Sequence, residues 1–381
     1  MTPASTEEPA HLSRDVIARC RRAGFALASV CEARPSERRA EMEAWLAAGK
    51  HGSMDWLAEH LDARLDPSRM LRDVRSIIMV ADLYAQGTRD DPLPDEPTDA
   101  PRGRIARYAR GGDYHDIIKD RLHALADDLR ERFPDHHFRT LVDVMPFTER
   151  EHAARAGLGW IGKHTLLIHP RFGSWFLLGG VLTSLELRAP DDHEPVVDAC
   201  GTCTRCIDAC PTGAITPYSV DASRCVSYLT IERRLPIDSG LFRGVGEWLF
   251  GCDICQEVCP HNRERPVEHA PNPAYAPRRT GFDLLEVIGW DEAARRSATR
   301  RSAMRRATLA MWKRNAVIAA GNHLASHAAP ALRARIEDAA WDAKEDPMVR
   351  RTARAVLDRL SPRSGSSAEL PATISHGESD P

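Results

Sequence analysis

Eight of the ten cysteines fall between residues 200 and 259: seven in two runs that each end in Cys-Pro, and Cys225 between the runs. The first run contains Cys200, Cys203, Cys206 and Cys210, and the second contains Cys252, Cys255 and Cys259. Short Cys-x-x-Cys steps place three thiolates around one iron-sulfur cubane, whereas the cysteine that precedes the proline ligates the other cubane. The spacing therefore predicts two [4Fe-4S] clusters.

The same rule allocates the ligands of each cluster. The first cluster is predicted to be held by Cys200, Cys203, Cys206 and Cys259. The second is predicted to be held by Cys210, Cys252 and Cys255, which leaves one ligand missing. Leu249 stands where a full second run would begin, and Cys225 is the nearby thiol that can complete the set.

Disulfides and structural zinc sites are the two other uses of eight cysteines. Disulfides need an oxidising compartment, but the first ten residues lack the basic and apolar stretches of an export signal, so we expect a cytoplasmic protein. Structural zinc sites usually pair two Cys-x-x-Cys steps, whereas a triple run ending in Cys-Pro is typical of clusters. Cys20 and Cys31 stand alone and are predicted to be small core residues.

Length and charge limit the class of protein. With 381 residues the chain has room for two or three domains. No apolar run approaches the length of a membrane span, so no membrane partner is expected. Residues 291–360 contain 15 Lys and Arg against 8 Asp and Glu, in a chain whose formal charge is −3. This basic segment indicates either a polyanionic partner or an arginine-rich solvated helical surface.

Helical and strand patterns alternate without a regular β-α-β cycle, which predicts an α+β body. Strands are predicted over 76–81 and over 138–142, the latter ending at Asp143, and a helix over 148–156. After the cysteines the pattern becomes all-α, and segments 314–320 and 351–357 align at an offset of 37 residues, near the period of HEAT repeats. The last twenty residues lack periodicity and are expected to be disordered.

Gly157-Leu-Gly-Trp-Ile-Gly162 matches the dinucleotide fingerprint, but its context does not fit. That fingerprint must follow a strand and open a helix, whereas here a helix precedes it and a strand follows. We instead expect these glycines to let the backbone approach another large, flat ligand.

Several strings together resemble the epoxyqueuosine reductases, namely Ile105-Ala-Arg-Tyr-Ala-Arg-Gly-Gly-Asp-Tyr-His115, Val142-Asp143, Ala156–Lys163, Gly173-Ser-Trp-Phe176 and Gly251–Pro260. The resemblance implies a cobalamin-dependent enzyme with two [4Fe-4S] clusters that converts epoxyqueuosine to queuosine at the wobble position of tRNA, the last step of queuosine synthesis. It also implies an N-terminal cobalamin-binding α+β domain (1–190), a ferredoxin-like domain (191–270), a HEAT-like helical domain that binds tRNA (271–361) and a tail (362–381).

By the same resemblance Asp143 corresponds to the proton donor, and burial beside a corrin would raise its pKa. The residues expected around the corrin are Arg64, Arg107, Tyr108, Asp143, Ile161, Lys163, His164, Ser174, Trp175 and Ser227. The histidine motif of one cobalamin class begins at Asp113-Tyr-His115, but Ile118 replaces its glycine, so no protein histidine is expected on cobalt.

Arginine and lysine neutralise RNA phosphates, so the basic segment is the expected tRNA contact. The candidates are Arg233, Arg234, Arg295, Arg296, Arg300, Arg301, Arg305, Arg306, Lys313 and Arg314. A flavodoxin or ferredoxin is the expected one-electron donor, and a monomer is the expected state. The alternatives are another corrinoid iron-sulfur reductase, such as a reductive dehalogenase, and a ferredoxin-like electron carrier without an active site.

Overall fold

The computed structural model describes residues 9–87, 93, 96, 100–143, 145–189, 196–263 and 270–361. The predicted disordered tail and part of the predicted loop 85–103 lie outside the described residues. Within these ranges the strands are β1 (Leu27–Glu32), β2 (Ser76–Leu83), β3 (Arg102–Ile105), β4 (Phe138–Leu141), β5 (Trp160–Ile161), β6 (Leu167–Ile168), β7 (Phe176–Thr183), β8 (Ile215–Thr216), β9 (Ser219–Val220), β10 (Trp248–Phe250) and β11 (Gly281–Asp283).

The helices fall into three groups along the chain. Before the cysteines lie α1 (Pro9–Arg22), α2 (Arg39–Ala47), α3 (Trp56–Glu59), α4 (Leu61–Leu65), α5 (Tyr114–Arg132) and α6 (Glu149–Arg155). Among the cysteines lie α7 (Arg205–Asp208), α8 (Val226–Ile231), α9 (Phe242–Val245) and α10 (Ile254–Glu257). The C-terminal helices are α11 (Leu284–Ile288), α12 (Glu292–Ala298), α13 (Leu309–Leu324), α14 (Pro330–Trp341) and α15 (Pro347–Leu360).

The main sheet has the strand order β1-β2-β7-β4 and is antiparallel throughout. Every residue of β2 is buried, as its unbroken apolar run predicts for a central strand covered on both faces. Helices α1 and α5 pack on one face, around Val16 and Leu122, and α6 packs on the other, around Ala153. The mixed helix and sheet architecture is confirmed, and the antiparallel pairing distinguishes it from a doubly wound sheet.

A smaller sheet joins distant parts of the chain. Strand β3 pairs in parallel with β10 and antiparallel with β11. One core cluster accordingly contains Ile105, Phe250, Phe282 and Trp312 together. The predicted boundaries near residues 190 and 270 therefore do not separate independent cores, because side chains from all three segments share this one.

The C-terminal segment is helical apart from β11, which corrects the all-α prediction for residues after 271. The two segments aligned at an offset of 37 residues lie in α13 and α15, which pack against each other. Helix α2 begins at Arg39, so Ser36, which a Pro-Ser-Glu pattern would place at the cap, lies too early in the chain to cap it. The Ser36 hydroxyl instead donates to Glu151 at 2.6 Å. No helix in the described part of the chain is both long and apolar enough to cross a membrane.

Candidate active site

The eight clustered cysteines lie in two groups. Burial raises the pKa of the Cys259 thiol to about 11, and the charges of Cys200, Cys206 and Cys203 add to that rise. Burial also raises the pKa of Cys255, with further contributions from Cys252 and Cys225, and Cys210 acts in the same way on Cys225. These interactions follow the two ligand sets that the spacing predicts, and Cys206 of the first set also raises the pKa of Cys255. A cubane would bind the cysteines of its set as thiolates.

Leu249 occupies the place of the missing ligand for a packing reason. It is fully buried in β10 and lies against Gly103 of β3, where a Cβ atom would stand only 2.4 Å from the Leu249 Cγ. Cys225 precedes the first residue of α8 and lines the same cavity as Cys210, Cys252 and Cys255, as expected for the predicted fourth ligand.

A cavity of about 1590 Å³ lies between the main sheet, helix α2, the second cysteine group and the turn Ala303–Arg306. Pockets for drug-sized ligands span about 300–1,000 Å³, so this one suits a larger molecule. One side, which we call the cluster wall, contains Cys210, Cys225, Cys252 and Cys255. Cys259 of the first group instead lines a separate surface depression with Arg205 and Arg263.

A network of carboxylates around one histidine forms another side of the cavity, which we call the acid wall. It consists of Tyr114, His115 and Asp143, which line the cavity, and of Asp113 behind them. His115 Nε2 lies 3.0 Å from Asp143 Oδ2, and the Tyr114 hydroxyl donates to that same oxygen. On the other side of the ring, His115 Nδ1 lies 2.8 Å from Asp113 Oδ1. Asp143 follows β4 with a φ of 38°, a left-handed conformation that aspartate tolerates better than most residues.

The protonation of Asp143 differs from the expectation. Its side chain is 57% exposed to the cavity but lies deep in the molecule, and burial acts to raise its pKa. Hydrogen bonds from His115 and Tyr114, with the charges of His115 and Arg306, outweigh burial and hold the pKa below its ordinary value. The raised pKa is expected for a carboxyl enclosed by a corrin, whereas in the free protein these donors hold the pKa below its ordinary value.

Four polar atoms beside the acid wall are buried, line the cavity and have no hydrogen-bond partner among the described residues: Arg64 Nε, Thr148 Oγ1, Glu149 Oε1 and His164 Nε2. Burial raises the pKa of Glu149 to about 8 and lowers the pKa of His164 to about 4. Buried polar atoms in proteins are normally satisfied, so this group is suited to a ligand with its own donors and acceptors.

Most of the expected corrin contacts line the cavity: Arg64, Tyr108, Asp143, Ile161, His164, Ser174 and Ser227. Ser174 also joins β7 to the cysteine region, since its hydroxyl donates to Gln256 at 2.9 Å and its backbone N–H donates to Asn262.

Three other expected corrin contacts lie elsewhere. Lys163 Nζ donates to the carbonyls of Gly201 and Cys203, and so holds the loop of the first cysteine group. Trp175 is fully buried behind the cavity wall, in edge contact with Tyr84. Arg107 is also buried, and its guanidinium stacks 4.6 Å from the centroid of Trp175 while donating to Gly87. These three residues support the cavity wall without facing the ligand space.

The glycine-rich segment forms a tight hairpin. Gly157 follows helix α6, and β5 and β6 then pair with each other. Gly159 has a φ of 153°, and a Cβ atom there would lie 2.2 Å from the carbonyl oxygen of Ile168. The close approach is therefore to the partner strand, not to a flat ligand, although Ile161 of this hairpin does line the cavity.

The predicted phosphate contacts divide by exposure. Arg234, Arg296, Arg300, Arg301, Arg305 and Arg306 are exposed. Arg295 pairs with Glu292 and is 14% exposed, Lys313 pairs with Glu345 and is 12% exposed, and Arg233 donates to the Pro236 carbonyl.

Arg314 must be removed from the set of phosphate contacts. It is fully buried and donates to the carbonyls of Leu229, Arg233 and Leu235. These bonds attach α13 to the chain that follows α8, so Arg314 has a structural role.

Sequence reasoning missed several residues of the cavity. Tyr114 and His115 end the segment Ile105–His115, which resembles the family, but the sequence does not show their role at the cavity. Trp56, at 37% exposure, lies on the cavity wall with the Arg306 guanidinium 5.5 Å from its ring centroid. A tryptophan beside an arginine suits base stacking in RNA, but no local pattern could have shown this pair, because the two residues are 250 positions apart.

Two family profiles match the chain. One is described as a 4Fe-4S double cluster binding domain and covers residues 199–262, which include all eight clustered cysteines. The other is described as Epoxyqueuosine reductase QueG, DUF1730, and covers residues 64–144, from the Arg64 edge of the cavity to Asp143.

Relatives and solved structures extend the match over most of the chain. The epoxyqueuosine reductase of Xanthomonas campestris pv. campestris is 39% identical over 307 residues, which cover 79% of this chain and 84% of that protein. That of Escherichia coli K12 is 37% identical and covers 78% of each chain. The solved epoxyqueuosine reductase of Streptococcus thermophilus superposes with a TM-score of 0.78 at 24% identity, over 92% of this chain and 91% of that one. The cysteine groups, the cavity between them and the sheet, and these relatives agree: the chain belongs to the epoxyqueuosine reductase family.

Proposed function

We propose that this protein reduces epoxyqueuosine in the anticodon of tRNA to queuosine, using cobalamin in the cavity and electrons from two [4Fe-4S] clusters. The observation that carries this proposal is that the cluster wall and the acid wall line the same cavity. An electron source and proton-holding groups therefore face one ligand space. The relatives carry the name of this activity, and a solved relative with a TM-score of 0.77 is described in complex with an epoxyqueuosine-modified tRNA stem loop.

The cavity fits cobalamin by size and by the chemistry of its lining. Corrin side chains are amides, which can donate to Glu149 Oε1 and accept from Arg64 Nε and Thr148 Oγ1, the partnerless atoms of the wall. Bound cobalamin supplies a cobalt centre that can hold two electrons for the substrate. Tyr108, Ile161 and Ser227 enclose the same space and exclude water from it.

The two cysteine groups lie at different depths, which indicates the order in which electrons would reach them. The first group contributes to a surface depression at Cys259, whereas the second faces the cavity. We therefore place the docking site of the external donor, a flavodoxin or ferredoxin, beside the first group. Clusters held by these cysteines would pass electrons from the first group to the second and from there into the cavity.

The domain roles follow the same division. Residues 1–190 would hold cobalamin, 191–270 would form a ferredoxin-like unit and 271–361 a HEAT-like unit that binds tRNA, with the shared core joining them. The exposed arginines Arg296, Arg300 and Arg301 precede Arg306, which lines the cavity. A stem loop bound along this path would bring its wobble nucleotide into the cavity.

The experiment is anaerobic reconstitution followed by turnover. The purified protein should bind about eight iron atoms and one cobalamin per chain. After reduction with a strong one-electron donor it should convert epoxyqueuosine-containing tRNA to queuosine-containing tRNA, measured by mass spectrometry of digested nucleosides. Full cofactor loading without conversion would refute the proposed substrate, and zinc in place of iron would refute the cofactors.

A further inference from the structure

His115 lies between two carboxylates, one at each ring nitrogen. Asp113 Oδ1 is 2.8 Å from Nδ1, and Asp143 Oδ2 is 3.0 Å from Nε2. Asp113 is only 4% exposed and is fixed by Arg305, whose guanidinium donates to Asp113 Oδ2 at 2.9 Å. On one side, His115 thus contacts Asp113, which is paired with Arg305 of the C-terminal segment. On the other side it contacts Asp143, which lines the cavity.

This geometry fixes the proton count of the ring. A neutral imidazole has one N–H and one lone pair, so it would turn a lone pair toward one of the two carboxylates. An imidazolium donates to both. Although burial acts to lower it, the hydrogen bonds and charges of Asp113 and Asp143 raise the pKa of His115 to about 9.

In this network His115 is the group that carries a positive charge and a proton it can transfer. Asp143 has a lowered pKa, and burial raises the pKa of the Tyr114 phenol, so that phenol keeps its proton. The other titratable or charged groups that act on this network are Tyr108, Arg64, Glu149, Arg150, Arg305 and Arg306.

We propose that His115 is a positioning residue that stores a proton and passes it through Asp143 to the oxygen leaving the substrate. The inference rests on the proposed function. Opening an epoxide to an alkene breaks two C–O bonds and forms one C=C bond. It consumes two electrons, supplied by the clusters, and two protons, and it releases the oxygen as water. An aspartate that is already ionised has no proton to give. The imidazolium of His115 can pass one proton to Asp143, and after regaining a proton from solvent it can pass the second.

Both hydrogen bonds that Asp143 accepts from described residues end on Oδ2. Oδ1 is therefore the oxygen that can meet the substrate, while Oδ2 receives the proton from His115. Glu149, whose pKa is raised to about 8, is a competing proton store on the same cavity. The two stores predict different pH profiles, because each loses its proton near its own pKa.

The test compares His115→Gln with Glu149→Gln and with His123→Gln, an exposed histidine on the same helix α5. Single-turnover conversion by the fully loaded, reduced wild type should decline above about pH 9, the pKa of His115. His115→Gln should lower the rate about 10²-fold and remove that decline, while iron content, cobalamin binding and tRNA affinity stay unchanged. His123→Gln should match the wild type.

A wild-type pH profile in His115→Gln would overturn the inference, as would loss of the alkaline decline in Glu149→Gln alone. A second measurement does not depend on activity. Nitrogen-15 NMR of labelled histidine in the whole protein, with the His115 signal assigned from its loss in His115→Gln, should show a ring pKa of about 9. In Asp113→Asn that pKa should be lower. A ring that titrates near the ordinary value of about 6.5 would overturn the inference. Failure of the proposed function would appear instead as no conversion by the wild type.

Discussion

The cluster wall and the acid wall face the same cavity but are built differently. Seven of the eight ligands in the cysteine region belong to two short runs, so local spacing alone assigns them. The acid wall joins His115 to Asp143, and it joins Asp113 to Arg305, which lies 192 residues further along the chain. The spacing of cysteines along the chain predicts the cluster wall from the sequence. The acid wall depends on which distant side chains surround His115 and Asp143, and this is known only from the folded structure.

Cys225 gives the largest expected effect, because it lies outside both runs yet must complete the second cluster. Cys225→Ala should lower the iron content from about eight to about four atoms per chain and abolish conversion. Iron analysis and the cluster absorbance of anaerobically reconstituted protein measure this. Cys20→Ala, which changes a buried cysteine outside the groups, should keep all the iron. Full iron in Cys225→Ala would mean that another residue completes the set.

Asp143→Asn tests the acid wall while leaving the cluster wall intact. The amide keeps the shape but cannot accept and pass a proton, so we expect conversion to fall by about 10² to 10⁴. The pKa of His115 should also fall, since one of its two carboxylate partners is lost. Single-turnover rates and the histidine NMR titration check the two expectations. A conversion rate within about twofold of the wild type would place the proton donor elsewhere.

Arg314→Leu should act on stability and not on RNA binding. The substitution leaves three backbone carbonyls without their buried donor, which should lower the free energy of unfolding by about 3 kcal/mol. Denaturant unfolding measures the loss. The tRNA affinity of the folded variant should equal that of the wild type, and a reduced salt dependence of binding would contradict its structural role.

Reversing the exposed charges of Arg296, Arg300 and Arg301 to Glu should give the smallest effect on chemistry. We expect tRNA affinity to fall roughly tenfold and the slope of log affinity against log salt to flatten by about 2, as three phosphate contacts are lost. The control is the triple reversal of Arg14, Arg21 and Arg22, which are exposed on α1. Equal loss in both variants would indicate a nonspecific charge effect.

The sequence predicted the parts of the fold that depend on local pattern. The buried strand β2, the helix α5 and the helical C-terminal segment follow from periodicity, and the strand before Asp143 ends within one residue of its predicted limit. It could not predict that Arg314 would be buried, because an arginine on a helix does not reveal which carbonyls will surround it. It could not show the hydrogen bonds to Asp143 for the same reason, since their donors lie 28 and 29 residues away.

Strand β3 has a consequence for how the protein is made. Its neighbours β10 and β11 follow it by more than 140 residues, and the last pairs with it only when residue 283 has been synthesised. At about 5–20 residues per second, the ribosome needs on the order of ten seconds to deliver that partner. All eight cluster cysteines leave the ribosome before β11 does. The thiols that are predicted to bind iron are therefore present on the nascent chain while this sheet is still open.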